Sequence, residues 1–165
     1  MITFLAYLCN WLELLGLAIL TGGTITLGVV VAPTVFTLLP PMSTGGEVMS
    51  AVFIRFNTIV AYICLGLILI GFLGKSILEG WGRRRRYLEG IFVLIILGVG
   101  IYLGGLLTPR MDELRHMRIQ NPNDQHVERQ FWAGHRLSEG LFSVNLLLGL
   151  GVLYLNAMEL AGKQK

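Results

Sequence analysis

The sequence predicts an all-α integral membrane protein, a single domain over residues 1–165 in which four helices form a bundle. Of its 165 residues, 54% are hydrophobic and only 14% are charged, whereas about a quarter of a typical soluble domain is charged. Four stretches contain no Asp, Glu, Lys or Arg: 14–46, 56–74, 90–109 and 140–158. An apolar run of about 20 residues can cross the bilayer core as a helix, which predicts spans at about 11–39, 56–74, 87–107 and 137–158.

The first two spans carry recognisable end signals. Pro33 lies inside the first span and predicts a kink near its far end. Pro40 and Pro41 cannot continue a helix, so the first span is expected to end there. Thr44 and Glu47 have the spacing of a capping box, which predicts that the second helix begins at this point.

A short basic connection joins the second and third spans and contains four consecutive arginines, Arg83 to Arg86. Basic connections tend to remain on the cytoplasmic side. We therefore expect this connection and both termini to be cytoplasmic, in a bacterial-type inner membrane. Beside a membrane such a loop attracts anionic lipid headgroups. The expected partners are thus lipids, together with other membrane subunits or a second copy of the chain, and not nucleic acid.

The connection between the third and fourth spans, residues 108–136, is predicted to be a long, partly helical loop on the outer side. Thr108 fits an N-cap, with Pro109 in the first helical position. A break is expected at Asn121, after which Asn123 or Asp124 can cap the last helix.

Polar residues within the spans indicate which helix faces point into the bundle, because a polar side chain in lipid is costly. Such faces repeat at helical spacing in three of the spans. The predicted faces are Asn10, Glu13, Thr21, Thr24 and Gly28 in the first helix, Arg55, Thr58, Tyr62 and Gly66 in the second, and Phe131, His135, Ser138, Phe142, Asn145 and Gly149 in the fourth. In the third span, Gly100 and Gly104 predict a close approach between helices.

A candidate ligand site lies at the outer boundary of the predicted bundle. Arg55, Arg110 and His135 share this level with Phe36. Two arginines and a histidine can hold an anionic group such as a propionate, a lipid phosphate or a carboxylate. The alternative is that both arginines extend to the membrane interface and that His135 bonds only a backbone carbonyl.

Glu13 is the one acidic residue beside a polar stripe within a span, near the opposite end of the bundle. A proton or cation relay uses such a group, because a desolvated carboxyl can change its protonation state near neutral pH. The alternative is an interfacial carboxylate hydrogen-bonded to Asn10 or Trp11. Glu139, one turn after His135, is similarly ambiguous.

Metal and haem sites need histidines, and the three in this chain, His116, His126 and His135, all fall in the outer loop or at its junction with the last helix. A bis-histidine haem would need a second imidazole on another span. His135 with an open or methionine axial position keeps haem b as an option, while Asp112 and His116 form a weak pair for copper or zinc. The alternative is a set of surface histidines.

Recognised catalytic motifs are missing from the sequence, so an enzyme is not the favoured interpretation. The first hypothesis is a non-enzymatic membrane protein, either an accessory or scaffold subunit or a small binding module that uses the outer Arg/His site. The second is a haem- or metal-binding redox or transport protein that uses His135. The third is a small proton-coupled transporter that uses Glu13.

Four short segments carry a resemblance to a known family. They are APTVF at 32–36 followed by LP at 39–40, GEVM at 46–49 with FIRF at 53–56, TPR at 108–110, and FWAGHRLS at 131–138 with Asn145 beyond it. Together they resemble the TMEM205-like, or DUF4149, family of small membrane proteins. The resemblance implies a four-span bundle with a long loop between the last two spans, without an established reaction. It also implies a shared site among Pro33, Phe36, Arg55, Arg110, His135, Ser138 and Asn145.

Overall fold

The computed structural model describes residues 2–40, 42–80 and 84–163. Its helices are α1 (Ile2–Thr26), α2 (Ala32–Leu38), α3 (Met42–Arg55), α4 (Ala61–Glu79), α5 (Arg84–Tyr102), α6 (Thr108–Gln120) and α7 (Gln125–Lys163). Single π-helical turns at Leu27–Val31, Phe56–Val60 and Leu103–Leu107 join α1 to α2, α3 to α4 and α5 to α6. The described chain therefore forms four long helices, called here the first (α1–α2), second (α3–α4), third (α5–α6) and fourth (α7) membrane helices.

All four of these helices are long and apolar enough to cross a membrane, over Phe4–Leu38, Thr44–Glu79, Arg84–Gln120 and Gln125–Glu159. Short connections make successive helices antiparallel. The basic end of the bundle is where α4 leads into α5, and the hairpin end is where α2 leads into α3 and α6 into α7. The predicted all-α membrane bundle is confirmed.

The first and third membrane helices accommodate an internal proline in the same way. Proline has no N–H and its ring crowds the carbonyl four residues earlier, which is Val29 for Pro33 and Gly105 for Pro109. Both carbonyls lie inside a π-helical turn, where the hydrogen bonds run to the fifth residue instead of the fourth. The helix thus passes each proline without ending.

Glycines bring the first and second membrane helices into close contact. A Cβ atom on Gly71 would lie 2.5 Å from the backbone nitrogen of Glu13, and one on Gly16 would lie 2.8 Å from the carbonyl oxygen of Cys64. Absence of a side chain at both positions lets the two backbones approach closely. In the third helix, a Cβ atom on Gly100 would lie 2.7 Å from Leu65 Cδ1, and one on Gly104 would lie 3.0 Å from the carbonyl oxygen of Asn57, which confirms the predicted packing role of this pair.

The connection predicted to be long and partly helical is almost wholly helical at the hairpin end, with the break after Gln120 as expected. Here α6 continues the third helix to Gln120 and α7 begins at Gln125, so Thr108 lies within a continuous helix and is not an N-cap. The turn between them contains the predicted cap: Asp124 Oδ1 accepts hydrogen bonds from the backbone N–H groups of His126 and Val127. The prediction for the second helix was also wrong, because α3 begins at Met42, before Thr44.

Candidate functional site: a buried ionic cluster

A lysine lies inside the basic end of the bundle, surrounded by oxygen atoms from the three other membrane helices. Lys75 Nζ donates hydrogen bonds to Glu89 Oε1 at 2.5 Å and to Asn156 Oδ1 at 2.8 Å. A longer bond of 3.5 Å reaches Asn10 Oδ1. Glu13 Oε2 lies 2.7 Å from the same nitrogen as an ion pair, although the approach is not that of an aligned hydrogen bond. These five residues are the Lys75 centre.

Arg86 extends this centre towards the basic end. Its Nη1 lies 3.3 Å from Glu89 Oε2, so Glu89 bridges the two cations. Its Nη2 contacts Glu79 Oε2 at 2.8 Å and Glu159 Oε1 at 3.3 Å. The Lys75 centre together with Arg86, Glu79 and Glu159 is called the ionic cluster.

Each membrane helix supplies two residues to the ionic cluster, separated by three or four positions. The pairs are Asn10 and Glu13, Lys75 and Glu79, Arg86 and Glu89, and Asn156 and Glu159. Residues at this spacing lie one above the other on a helix surface. Four helices can therefore meet with their polar faces towards one another, and the close approach at Gly71 brings Glu13 to Lys75.

The centre is almost fully shielded from solvent. Glu13 is 0% exposed and Lys75 2% exposed. An ion removed from water loses several kcal/mol of solvation, which only close counter-charges and hydrogen bonds offset. Glu13 meets this condition incompletely, because its Oε1 accepts no hydrogen bond from any residue that the structure describes.

The two sides of the Lys75 centre differ in access. At the basic end the side chains of Glu79 and Glu159 are 26% and 17% exposed, so the cluster reaches the surface there. Towards the hairpin end it is covered by apolar side chains, one from each membrane helix and each 0% exposed: Leu17, Ile68, Ile96 and Val152. These four residues are the apolar layer. Among the residues that the structure describes, the cluster thus reaches solvent at the basic end and is closed by the apolar layer on the other side.

The proposed outer Arg/His site looks different in the structure. Arg55, Arg110 and His135 are all exposed. None of them forms a hydrogen bond or ion pair with another of the three, as far as the described chain goes. His135 Nε2 instead lies 3.3 Å from Glu139 Oε1, and its ring stacks on Phe131 at 6.2 Å between centroids.

The remaining residues of that predicted site are spread along the bundle. Phe36 is 40% exposed and packs near Gly45, whose Cβ would lie 2.9 Å from the ring. Ser138 Oγ donates to the carbonyl of Gly134 at 3.0 Å. Asn145 is buried, deeper in the bundle. The structure does not bring these side chains together into one site.

The candidate metal ligands lie on α6 and on the first turns of α7, at the hairpin end. His116 Nε2 is 3.8 Å from Asp112 Oδ2, and both side chains are well exposed. Exposed His126 lies at the start of α7, 3.5 Å from Gln130. Within residues 2–40, 42–80 and 84–163, no three His, Cys, Asp or Glu side chains are grouped to hold a metal ion.

The predicted polar face of the second helix was wrong at Arg55 and Thr58, whereas Tyr62 does face the third helix, with its hydroxyl 3.0 Å from a Cβ on Gly104. Arg55 and Thr58 are exposed, whereas Asn57 is buried and its Nδ2 donates to Thr108 Oγ1 at 3.0 Å. Asn57 continues the buried face of Ala61, Cys64 and Ile68 at helical spacing, one position away from the face that was predicted. Glu13, in contrast, lies at the centre of the cluster, where it is fully buried, and its carboxyl accepts no hydrogen bond from Asn10 or Trp11 in the described chain.

Sequence reasoning missed Lys75, Arg86, Glu89 and Asn156, although a signal for the charged residues was present. At the basic end, each of the four charge-free stretches is bounded by a member of the cluster: Glu13, Lys75, Glu89 and Glu159. Because antiparallel helices align these boundaries at one level, a lysine among three glutamates there indicates pairing across helices. Asn156 continues the fourth-helix face after Asn145 and Gly149, at the same helical spacing.

Fold and site together define an integral membrane four-helix protein with a charged cluster inside the bundle. A family model described as a domain of unknown function, DUF4149, matches residues 15–120, and the chain belongs to this family. The match includes Lys75, Arg86 and Glu89 and ends before the FWAGHRLS segment at 131–138. No curated protein and no solved structure matches the chain.

Proposed function

We propose that this is a proton-coupled membrane protein in which the Lys75 centre takes up and releases a proton. Glu13 is the group that exchanges the proton, and Lys75 with Glu89 holds it in place. This develops the proton-relay hypothesis for Glu13. The observation that carries the proposal is a fully buried carboxyl that shares one ammonium with a second carboxylate and has an oxygen without a donor among the described residues.

Charge balance in the cluster supports this proposal. Glu13 and Glu89 share the single ammonium of Lys75, and among the described contacts Arg86 pairs with Glu89 and not with Glu13. Uncompensated charge inside a low-dielectric bundle is costly. A proton on Glu13 leaves Lys75 to balance Glu89, and Asn10 and Asn156 stay in place as neutral partners.

Solvent access at the basic end determines from which side of the membrane the proton reaches the cluster. Glu79 and Glu159 are partly exposed at the basic end, and Arg86 connects them to Glu89. By the tendency of basic connections to remain inside, this end faces the cytoplasm of a bacterial-type inner membrane. Protons therefore exchange between the cytoplasm and Glu13, while the apolar layer closes the other side.

Four helices are few for a transporter that alternates its access, so we propose that a second copy or another membrane subunit completes the pathway. The exposed Arg84 and Arg85 at the basic end are suited to anionic lipid headgroups. Within its family, the resemblance to TMEM205-like members stays a proposal. The accessory-subunit hypothesis and the haem or metal hypothesis stay predictions.

Infrared difference spectroscopy tests proton binding directly. Spectra of wild-type protein in lipid are compared at about pH 5 and about pH 9, a range that covers the pKa values known for buried carboxyl groups. The C=O stretch of a buried protonated carboxylic acid should appear at the lower pH only. E13Q is nearly isosteric and should lose this band. E47Q removes an exposed carboxyl, 58% accessible in its side chain, and should keep it.

The proposal is overturned if wild type and E13Q give the same difference spectrum. E89Q provides a second variant in case E13Q does not fold. It should alter the frequency of the Glu13 band without abolishing it, because Glu89 shares Lys75 with Glu13. If the band is lost in E89Q but kept in E13Q, the proton is on Glu89 and not on Glu13, and the proposal is overturned.

A further inference from the structure

A small cavity lies between all four membrane helices, on the hairpin side of the apolar layer. Its volume is about 10 Å³, close to the space that one water molecule needs. The lining is mostly apolar and includes Phe56 and Phe142, with four polar residues, Thr21, Thr24, Asn57 and Asn145. None of the lining residues carries a charge.

Asn145 is the polar group in this cavity that most needs a partner. It is 9% exposed, and its Oδ1 accepts no hydrogen bond from the residues described in the structure. A buried carbonyl oxygen left without a donor costs about 1–3 kcal/mol. Something that donates a hydrogen bond to this atom therefore stabilises the bundle.

The hydroxyl groups of the two threonines, both on the first membrane helix, can each accept a further hydrogen bond. Thr21 Oγ1 donates its proton to the carbonyl of Leu17 at 2.6 Å, and Thr24 Oγ1 donates to that of Leu20 at 2.8 Å. Each hydroxyl oxygen thus has lone pairs left. The cavity thus offers uncharged hydrogen-bonding groups and no carboxylate, which suits a small neutral molecule better than a cation.

We propose that the cavity binds one water molecule through Asn145 Oδ1 and, if the proton-coupled function above holds, forms the outer station of the path that leads to Glu13. Thr21 and Glu13 lie on one helix, eight positions apart, which is about 12 Å along its axis. The apolar layer fills this interval. The path is therefore interrupted in this structure, and it becomes continuous when water enters between Leu17 and Val152.

Radiolytic hydroxyl labelling tests the water site without depending on Glu13. Radicals form at bound water and modify adjacent side chains. We expect wild type and E13Q to be modified at Phe56 and Phe142, and N145L, which keeps the branched shape but removes the hydrogen-bonding groups, to lose this modification several-fold. N121L, an equivalent change in the exposed turn after α6, should not alter it. Equal modification in N145L and wild type would overturn the water site.

Proton flux into vesicles tests whether the cavity at Asn145 is part of a proton path to Glu13. Threonine has nearly the same size and shape as valine, so V152T places a hydroxyl in the apolar layer without repacking it. This variant should raise passive proton flux several-fold over wild type. Adding N145L to V152T should return the flux to the wild-type level. The proposed path is overturned if V152T has the same proton flux as wild type, or if the raised flux persists in the V152T/N145L double variant. Neither result changes the infrared band of Glu13, so failure here and failure of the proposed function are distinguishable.

Discussion

At the scale of single residues, Lys75 has more partners than any neighbour in the centre. Its ammonium has three protons, which match three hydrogen-bond acceptors on three other helices. The fourth contact, to Glu13, is an ion pair. One side chain thus links all four membrane helices, and its replacement removes a counter-charge from two buried carboxylates at once.

The variant K75M should be strongly destabilised, because it leaves Glu13 and Glu89 buried without their shared cation. Breaking a buried ion pair on one side costs about 3–5 kcal/mol. The measurement is denaturant-induced loss of helicity in detergent. R85Q, which removes an exposed cation from the same end, should stay close to wild type. The E13Q/K75M double variant should recover part of the loss, and equal stability of K75M and wild type would contradict a stabilising role for Lys75.

At the scale of helices, the length of the charge-free stretches was enough to predict four spans, and the turn residues narrowed the cap of the last helix to Asn123 or Asp124. The register of the second helix was not predictable in this way. Arg55, Thr58 and Tyr62 repeat at helical spacing, and so do Asn57, Ala61 and Cys64 on a neighbouring face, so spacing alone did not decide which face points inwards. Helix pairing depends on tertiary contacts such as that at Gly71, which is why the meeting of Lys75 with Glu89 was also missed.

Gly71 and Gly66 allow a matched test of helix approach within α4. G71A places a methyl group 2.5 Å from the backbone nitrogen of Glu13, whereas Gly66 has nothing within 4 Å of its Cβ position. Overpacking of this kind costs about 1–3 kcal/mol, while alanine in an open helical position gains up to about 1 kcal/mol over glycine. Thermal unfolding in detergent should rank G66A at or above wild type and G71A below it. The opposite order would argue against close contact between these helices.

At the scale of the whole molecule, polar and apolar groups alternate along the bundle axis. The ionic cluster occupies the basic end, the apolar layer follows, and the Asn145 cavity lies beyond it. Past the cavity, α6 and the first turns of α7 form a polar helical hairpin. With 37 residues from Arg84 to Gln120, the third helix is about 55 Å long, well beyond the bilayer core of about 30 Å. The hairpin therefore projects from the membrane.

Cysteine labelling should establish which way this hairpin points. Q120C lies at the exposed tip of α6 and R85C at the exposed start of α5. If basic connections remain inside, an impermeant maleimide added to intact cells lacking an outer membrane should label Q120C and spare R85C. Permeabilised cells should label both. The reverse pattern would turn the proposed proton path around, with the ionic cluster open to the outside.

The three π-helical turns also determine where the chain can change in length. Leu27, Val60 and Leu103 lie about 14 or 15 positions from Glu13, Lys75 and Glu89 along their respective helices, so the turns share one level of the bundle. Loss of one residue within such a turn returns it to an ordinary α-helix and keeps the flanking segments facing as before. A deletion elsewhere between this level and the ionic cluster rotates one end of the helix by about 100° and separates the charges. Natural variation in helix length should therefore concentrate at these turns.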